Sequence, residues 1–291
     1  TVLLDSGCLC CTLRGDLAEE LRDLVDRRDA GEIPPFRRVV VETTGLAEPA
    51  PILFTLLTDQ LVQAHYRLDA VVTTVDAVNG LDQLERQPEA AKQVAVADRL
   101  VVTKGDIAPA GAAGALAARL AALNPHAALL HVVQGAVAPA ELLGAPEREV
   151  REIVAALEAE GAAKPGGSGG HLLRIRRPGA PGAATAGATL EARAFAVVLD
   201  EPLSWTAFGV WLSMLLQAHG SSVLRVKGLL DVGGEGPLLL NGVQHVVHPP
   251  EHLPEWPDAD RRSRLVVIAR GLDEEAVVAS LLAFGRQVRA A

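Results

Sequence analysis

The chain has 291 residues, of which 49% are hydrophobic and 22% charged, and its formal net charge is -9. This length suffices for two domains with separate cores, and the acidic balance argues against nucleic acid as the main partner. No apolar run approaches the roughly 20 residues that span a bilayer and no basic-then-apolar leader opens the sequence, so we expect no membrane partner.

All three cysteines lie within four consecutive positions, as Cys8, Cys10 and Cys11. This crowding makes a disulfide framework implausible, so a reducing cytoplasm is the expected compartment. Thiolates are soft metal ligands, and C-x-C-C brings three of them within reach of one ion such as zinc or cobalt. Two other interpretations stay open: a thiol redox role, and inert packing as small apolar residues.

Helices and short apolar strands alternate through the first half of the chain. A helix capped by Asp16 carries an apolar stripe at Leu17, Leu21, Leu24 and Val25. The pattern then predicts strands over residues 38–41, 71–75, 100–102 and 129–133, and helices over residues 48–61, 83–97, 111–123 and 149–160. Continuously apolar strands separated by helices are typical of a parallel sheet covered on both faces, that is, of an α/β fold. In such sheets ligands gather at the carboxyl ends of the strands, where residues 8–11, 42–45, Asp76 and residues 103–106 fall.

The second half of the chain has a different composition. Residues 163–190 are rich in glycine, alanine and proline and predict a flexible linker around one short strand over residues 172–176. Residues 191–291 predict a small α+β domain, with a hairpin between residues 223–230 and 238–243 and helices on one side of the sheet. The predicted domains are therefore residues 1–162 and 191–291.

The segment Thr103-Lys104-Gly105-Asp106 follows a predicted buried strand and fits the guanine-specificity pattern [N/T]-K-x-D. Guanine presents two N–H donors on one edge, which one aspartate can accept together, while the lysine stem can lie along the base. The alternative is an ordinary solvated turn.

Two further groups of residues suggest chemistry. Glu42-Thr43-Thr44-Gly45 follows the strand that would carry a magnesium-side carboxylate, and Gly45 could bring a backbone N–H close to a terminal phosphate. An ordinary helix N-terminus is the alternative. His245, His248 and His252 have spacings compatible with a metal site, but the intervening prolines oppose one helix presenting all three, so exposed loop histidines are the favoured interpretation.

These motifs together resemble the CobW family of metallochaperone-type P-loop GTPases. The similar stretches include Ser6-Gly7-Cys8-Leu9-Cys10-Cys11, Glu42-Thr43-Thr44-Gly45, Val75-Asp76-Ala77, Lys104-Gly105-Asp106, Asn124-Pro125, Arg225-Val226-Lys227-Gly228 and Gly242-Val243-Gln244. The resemblance implies a P-loop NTPase-like parallel sheet followed by a small α+β CobW C-terminal domain.

The resemblance also implies a GTP-dependent metallochaperone that uses GTP and Mg²⁺ and delivers zinc or cobalt to a client metalloprotein, in zinc homeostasis or cobalamin biosynthesis. By this analogy Cys8, Cys10 and Cys11 hold the metal. Glu42 and Gly45 are catalytic, serving the magnesium or water and the terminal phosphate. The base is read by Thr103, Lys104 and Asp106, with Asn124 beside it. Whether the protein forms a homo-oligomer stays open.

The family's phosphate loop, G-x-x-x-x-G-K-[ST], does not occur in the 291 residues. Because that loop supplies most of the electrostatic stabilisation of the phosphates, we expect an N-terminally truncated G domain that binds GTP poorly and does not hydrolyse it, and an intact protein that does both. The alternative function is a non-enzymatic metal-binding or scaffold protein with a decayed G domain.

Overall fold

The computed structural model describes residues 12–125, 127–143, 172–175, 192–220 and 222–289. Cys8, Cys10 and Cys11, and the helix predicted over residues 149–160, lie outside the described residues. The described helices are α1 Thr12–Asp29, α2 Pro49–Thr58, α3 Gln60–His65, α4 Gly80–Arg86, α5 Pro88–Val96, α6 Ala112–Leu123, α7 Pro139–Leu142, α8 Trp205–His219 and α9 Glu274–Arg289. The described strands are β1 Val72–Asp76, β2 Arg99–Thr103, β3 Ala128–Val132, β4 Leu172–Ile175, β5 Ala192–Leu199, β6 Val223–Leu230, β7 Leu238–Val243, β8 Val246–Val247, β9 Glu251–His252 and β10 Ser263–Arg270. Among these helices, none combines the length and hydropathy that a membrane span requires.

The first helices follow the predicted apolar stripe but differ at their ends. Helix α1 already begins at Thr12, so Asp16 lies inside the helix and does not cap it. Its buried stripe contains Leu17, Leu21 and Val25. The helix predicted over residues 48–61 is interrupted at Asp59, whose carboxylate accepts the N–H groups of Leu61 and Val62 and so starts α3. A side chain that caps a new helix therefore ends the preceding one.

The parallel sheet has the order β1-β2-β3, with β2 in the centre. All residues of β2 except Thr103 are buried, as expected for a strand covered on both faces. The single helix predicted over residues 83–97 is two helices, because Pro88 has no N–H to continue α4 and instead begins α5. The predicted α/β architecture is confirmed.

Residues 38–41 do not form the predicted strand. Val40 is 81% exposed and Val41 39% exposed, so this apolar run is not buried on two faces. An extended segment becomes a strand only when a neighbour accepts and donates its backbone hydrogen bonds, and within the described residues β1 pairs only with β2. The segment is held instead by Val39, which packs against α1, and by an ion pair between Arg38 and Asp69.

The second sheet is antiparallel, with the order β4-β5-β10-β6-β7-β8 and with β9 paired to β7. Helices α8 and α9 pack on one face through a core that includes Phe208, Trp211 and Leu281. The predicted hairpin is confirmed as β6 and β7. Strand β4, predicted within the linker, pairs with β5, so residues 172–175 belong to this sheet.

The other face of the antiparallel sheet packs against the N-terminal α/β part. Ala192, Leu224 and Ile268 share one buried core with residues of α5, α6, β1 and β2. On the same face, Val243 and Val246 pack against Leu53 and Leu57 of α2. The two parts of the chain therefore meet through two apolar clusters.

A buried ion cluster crosses this interface. The carboxylate of Asp98, immediately before β2, accepts hydrogen bonds from the Arg225 guanidinium and from the Lys227 ammonium at 2.8 Å, both on β6. Its second oxygen accepts the Val71 N–H at 2.8 Å. The side chains of Asp98, Arg225 and Lys227 are only 5%, 4% and 6% exposed. Burial would raise the pKa of Asp98, but the two cations and the backbone N–H hold that pKa below its ordinary value.

Candidate functional site

The carboxyl end of β2 carries a sharp turn formed by Thr103-Lys104-Gly105-Asp106, here called the 103–106 turn. Thr103 Oγ1 donates to the Val75 carbonyl at 3.4 Å, and the Ile107 N–H donates to the Lys104 carbonyl at 3.2 Å. Lys104 adopts the left-handed conformation with φ of 58°. Gly105 and Asp106 are exposed. The Asp106 carboxylate can therefore be reached by a ligand at this edge.

Asp76, at the carboxyl end of β1, lies beside this turn. Its carboxylate accepts the Lys104 ammonium at 2.7 Å, the Val78 N–H at 2.7 Å and the Asn79 amide at 3.2 Å. Burial by itself raises the pKa of Asp76, but the hydrogen bonds from Lys104, Val78 and Asn79 outweigh it and keep the pKa below its ordinary value. Asp76 is therefore an anion at neutral pH and is held in one orientation.

The segment containing Glu42 and Gly45 docks on α5 rather than continuing a strand. The Gln93 amide donates to the Gly45 carbonyl at 3.1 Å and to the Ala47 carbonyl at 2.8 Å. Glu42 and Gly45 are exposed, and beyond Gly45 and its two chain neighbours no atom of the described residues lies within 4 Å of the position that a Cβ would take at Gly45. Packing within the described residues therefore does not require glycine at this position. The explanation from the sequence, that a ligand approaches the backbone of Gly45 closely, stays a prediction. No hydrogen bond or ion pair of the described residues joins this segment directly to the 103–106 turn.

Asn124 lies at the opposite edge of the sheet from the 103–106 turn. It is 1% exposed, and its amide donates to the carbonyls of Val94, Ala95 and Ala97 at 2.8, 3.3 and 2.9 Å. Its side-chain oxygen accepts the Ala127 N–H at 3.2 Å. The side chain thus closes the end of α5 and sets the start of β3, so its predicted position beside the base is wrong.

Replacing Asn124 by alanine should lower the free energy of unfolding by about 2–3 kcal/mol, because it leaves buried carbonyls of the α5 terminus without their donor. Urea denaturation followed by circular dichroism measures this. Gln217→Ala, at an exposed position of α8, serves as the matched control. A loss below about 1 kcal/mol in the Asn124 variant would contradict this structural role.

Known protein families match both parts of the chain. The profile described as CobW/HypB/UreG, nucleotide-binding domain, matches residues 1–131, and that of the cobalamin synthesis protein cobW C-terminal domain matches residues 192–285. The zinc chaperone YjiA of Escherichia coli (strain K12) is 32% identical over 278 residues, which cover 95% of this chain and 80% of YjiA. The chain belongs to the CobW family.

A solved structure of YjiA and one further relative agree with this assignment to the CobW family. The crystal structure of Zn(II)-bound YjiA GTPase matches with a TM-score of 0.68 and 29% identity, covering 92% of this chain and 77% of that one. The zinc-regulated GTPase metalloprotein activator 1 of Schizosaccharomyces pombe is 28% identical over 135 residues, covering 46% of this chain and 32% of that protein. A P-loop-type domain followed by a CobW C-terminal domain is thereby confirmed.

Two features of this CobW family member were not predicted from its sequence. The loop after β3 has two residues with positive φ, Gln134 at 49° and Gly135 at 76°, and starts beside the 103–106 turn because Val132 pairs with Thr103. A Gln-Gly pair directly after a strand was a turn signal that could have indicated it. The second feature that the sequence did not predict is the buried ion cluster at Asp98.

The three C-terminal histidines of the CobW domain occupy separate environments. His245 is exposed and its ring lies 5.8 Å from that of Phe54, while His252 is exposed in β9. His248 is half-buried beside the ion cluster. Within the described residues no group of three or more His, Cys, Asp or Glu side chains is arranged to hold a metal ion. The described structure therefore gives no support to a histidine metal site.

His248 should make the protein less stable in acid. Burial, with a smaller contribution from the Arg225 and Lys227 cations and against the opposing attraction of Asp98, lowers the pKa of His248 to about 4 from its ordinary 6.5. The unfolded chain therefore takes up a proton between pH 6.5 and about 4 while the folded chain does not. The free energy of unfolding therefore decreases as the pH is lowered from 6.5 to about 4, by at most about 3 kcal/mol.

Denaturant unfolding at a series of pH values between 4 and 7 tests this expectation. His248→Gln should flatten the fall in unfolding free energy, whereas the matched variant His245→Gln at an exposed position should keep the wild-type slope. An unchanged slope in the His248 variant would show that another group causes the acid sensitivity.

Proposed function

We propose that the protein is a GTP-dependent zinc metallochaperone, which binds zinc and guanine nucleotide and passes the metal to a client metalloprotein in the cytoplasm. The observation that carries this proposal is the similarity to the zinc chaperone YjiA over 95% of the chain. The exposed Asp106 carboxylate at the carboxyl edge of the sheet supports it, because this is where α/β proteins bind their ligands.

The proposed roles follow the chemistry of each residue. Asp106 accepts the two N–H donors of guanine, and an adenine would leave that carboxylate unsatisfied. Lys104 lies along the base, and Thr103 anchors the turn through its bond to the Val75 carbonyl. Glu42 and Gly45 would serve the magnesium or water and the terminal phosphate; Glu42 supplies an oxygen ligand of the kind that Mg²⁺ prefers.

Cys8, Cys10 and Cys11 are the proposed zinc ligands. Three thiolates leave the fourth tetrahedral position open, so the ion can be exchanged with a client. Zinc is favoured over cobalt because YjiA and the CobW of Pseudomonas aeruginosa are both named zinc chaperones. Cobalt fits the same ligand geometry, and a role in cobalamin biosynthesis depends on that metal being the cargo.

The test measures zinc affinity of the anaerobically purified protein with GTP, with GDP and without nucleotide. The proposal predicts that GTP and GDP give different affinities, and that a Cys8/Cys10/Cys11→Ala variant loses tight binding in every state. A His245/His252→Ala variant is the control, since both histidines are exposed. Equal affinities in all nucleotide states would contradict nucleotide-controlled release.

GTP turnover separates the proposed enzyme from the alternative of a non-enzymatic metal-binding or scaffold protein. The 291-residue chain should be assayed for GTP turnover together with any longer product of its gene. We expect little turnover from the 291 residues, because they contain no G-x-x-x-x-G-K-[ST] sequence, and turnover from a product that contains one. Zinc binding without any turnover by a product that contains this sequence would favour the non-enzymatic alternative.

A further inference from the structure

The Asp76 carboxylate, at the carboxyl end of β1, accepts three hydrogen bonds, and the proposed function gives it no role. Its side chain is 16% exposed, and both of its oxygens accept hydrogen bonds. Two of these donors, Val78 and Asn79, belong to the loop that follows β1 itself. These two donors hold the Asp76 carboxylate in place, so it contacts Lys104 from a fixed position.

Lys104 needs such a contact. Its φ of 58° lies in the left-handed region, which costs a residue with a Cβ energy that neighbouring contacts must offset. The backbone around it is tied down, since Asp76 pairs in register with Thr103 and the Ala77 N–H donates to the Thr103 carbonyl at 2.9 Å. The Lys104 side chain is 56% exposed and its ammonium has Asp76 as an ion-pair partner at 2.7 Å. The direction of this long side chain is therefore set largely by Asp76.

We propose that Asp76 is a positioning residue for guanine recognition: it holds the Lys104 ammonium at the rim of the site, so that the stem of Lys104 lies flat for the base. Asp106 lies two residues further along the same turn, which closes through the bond from the Ile107 N–H to the Lys104 carbonyl. An oriented Lys104 therefore also presents Asp106 at a fixed angle to the base edge. This inference rests on the proposed function.

The ion pair between Asp76 and Lys104 orients the Lys104 side chain without blocking access of the ligand. Asp76 approaches Lys104 from the neighbouring strand, while Gly105 and Asp106 stay exposed. Because the side chain of Lys104 loses much of its rotamer freedom on being held, part of the entropy cost of binding is met before the nucleotide arrives. Loss of Asp76 should then weaken binding even though Asp76 does not contact the nucleotide.

A double-mutant cycle tests the inference, with GDP and ADP as probes in calorimetric titrations of the purified natural protein. Asp76→Asn keeps the shape of the side chain and removes its charge, and should weaken GDP binding about tenfold. Lys104→Met should weaken it by a similar factor. The double variant should bind GDP no more weakly than Lys104→Met alone, because Asp76 acts through Lys104.

Asp82→Asn is the matched control, since it breaks the exposed ion pair with Arg86 on α4, and should leave GDP binding unchanged. Losses that add in the double variant would overturn the inference, because they would show that Asp76 acts independently of Lys104. Unchanged GDP affinity in Asp76→Asn would overturn it as well, while leaving the proposed function intact. A wild-type protein that binds GDP no more tightly than ADP would instead overturn the proposed function, and this inference with it.

Discussion

Replacing Asp98 by alanine is expected to lower the free energy of unfolding by about 3–5 kcal/mol, the largest effect on stability that we predict for a single substitution. The variant leaves Arg225 and Lys227 buried at the interface without their shared carboxylate. Two buried cations that have lost their shared carboxylate destabilise an apolar interface far more than the loss of one surface ion pair does. The cost should fall on the interface, because Asp98 joins β2 to β6.

The three tryptophans allow this location to be checked. Trp205, Trp211 and Trp256 all lie in the C-terminal part of the chain. Their fluorescence therefore reports that part, while circular dichroism reports the whole. Two separate transitions in the Asp98→Ala variant would show that the two parts unfold independently once the cluster is broken.

Further variants show whether the loss of stability comes from leaving buried charges without their partner. A triple variant, Asp98→Leu with Arg225→Met and Lys227→Met, removes all three charges and should recover much of the lost stability. Asp23→Ala, which breaks an exposed ion pair with Arg27 on α1, should cost less than about 1 kcal/mol. A comparably small loss in Asp98→Ala would mean that water reaches the cluster.

Replacing Asp106 by asparagine is expected to weaken guanine nucleotide binding on the order of 100-fold or more, the largest effect on ligand affinity that we predict. The carboxylate accepts two N–H groups of guanine, whereas an asparagine amide presents a donor to one of them. Xanthine has a carbonyl where guanine has its amino group, so the same variant should gain affinity for xanthosine diphosphate.

Titration of GDP and xanthosine diphosphate against both proteins measures this exchange. Asp82→Asn again provides the control, since it changes an exposed aspartate away from the turn. A variant that loses GDP without gaining xanthosine diphosphate would indicate that Asp106 stabilises the turn rather than reading the base. Unchanged GDP affinity would show that the 103–106 turn is not part of the nucleotide site.

The sequence predicted most of the fold because the signals were local. Strand β2 is an uninterrupted apolar run, and its burial on both faces follows directly from that composition. The 103–106 turn and Asp76 could be placed at one end of the sheet, because both lie at the carboxyl ends of predicted strands. The structure confirms that these two regions contact each other, through Lys104 and Asp76.

The predictions that failed depended on neighbours. Residues 38–41 have the composition of a strand, but the described residues provide no strand to pair with them. Asn124 has the right residue type for a base contact, but its amide is used by carbonyls nearly 30 positions earlier in the chain. The partners of Asp98 lie 127 and 129 residues away, beyond the reach of any local pattern. The three cysteines stay a prediction, because they lie outside the described residues.

The position of the C-terminal domain has a consequence for the proposed transfer of zinc to a client protein. That domain meets the N-terminal part through α2, α5 and α6 and at the start of β2, whereas Gly105 and Asp106 at the far end of β2 are exposed. A visiting protein could therefore touch the loops around the base without first displacing the second half of the molecule. Binding of the client protein and sensing of the bound nucleotide could then occur at the same exposed end of the parallel sheet.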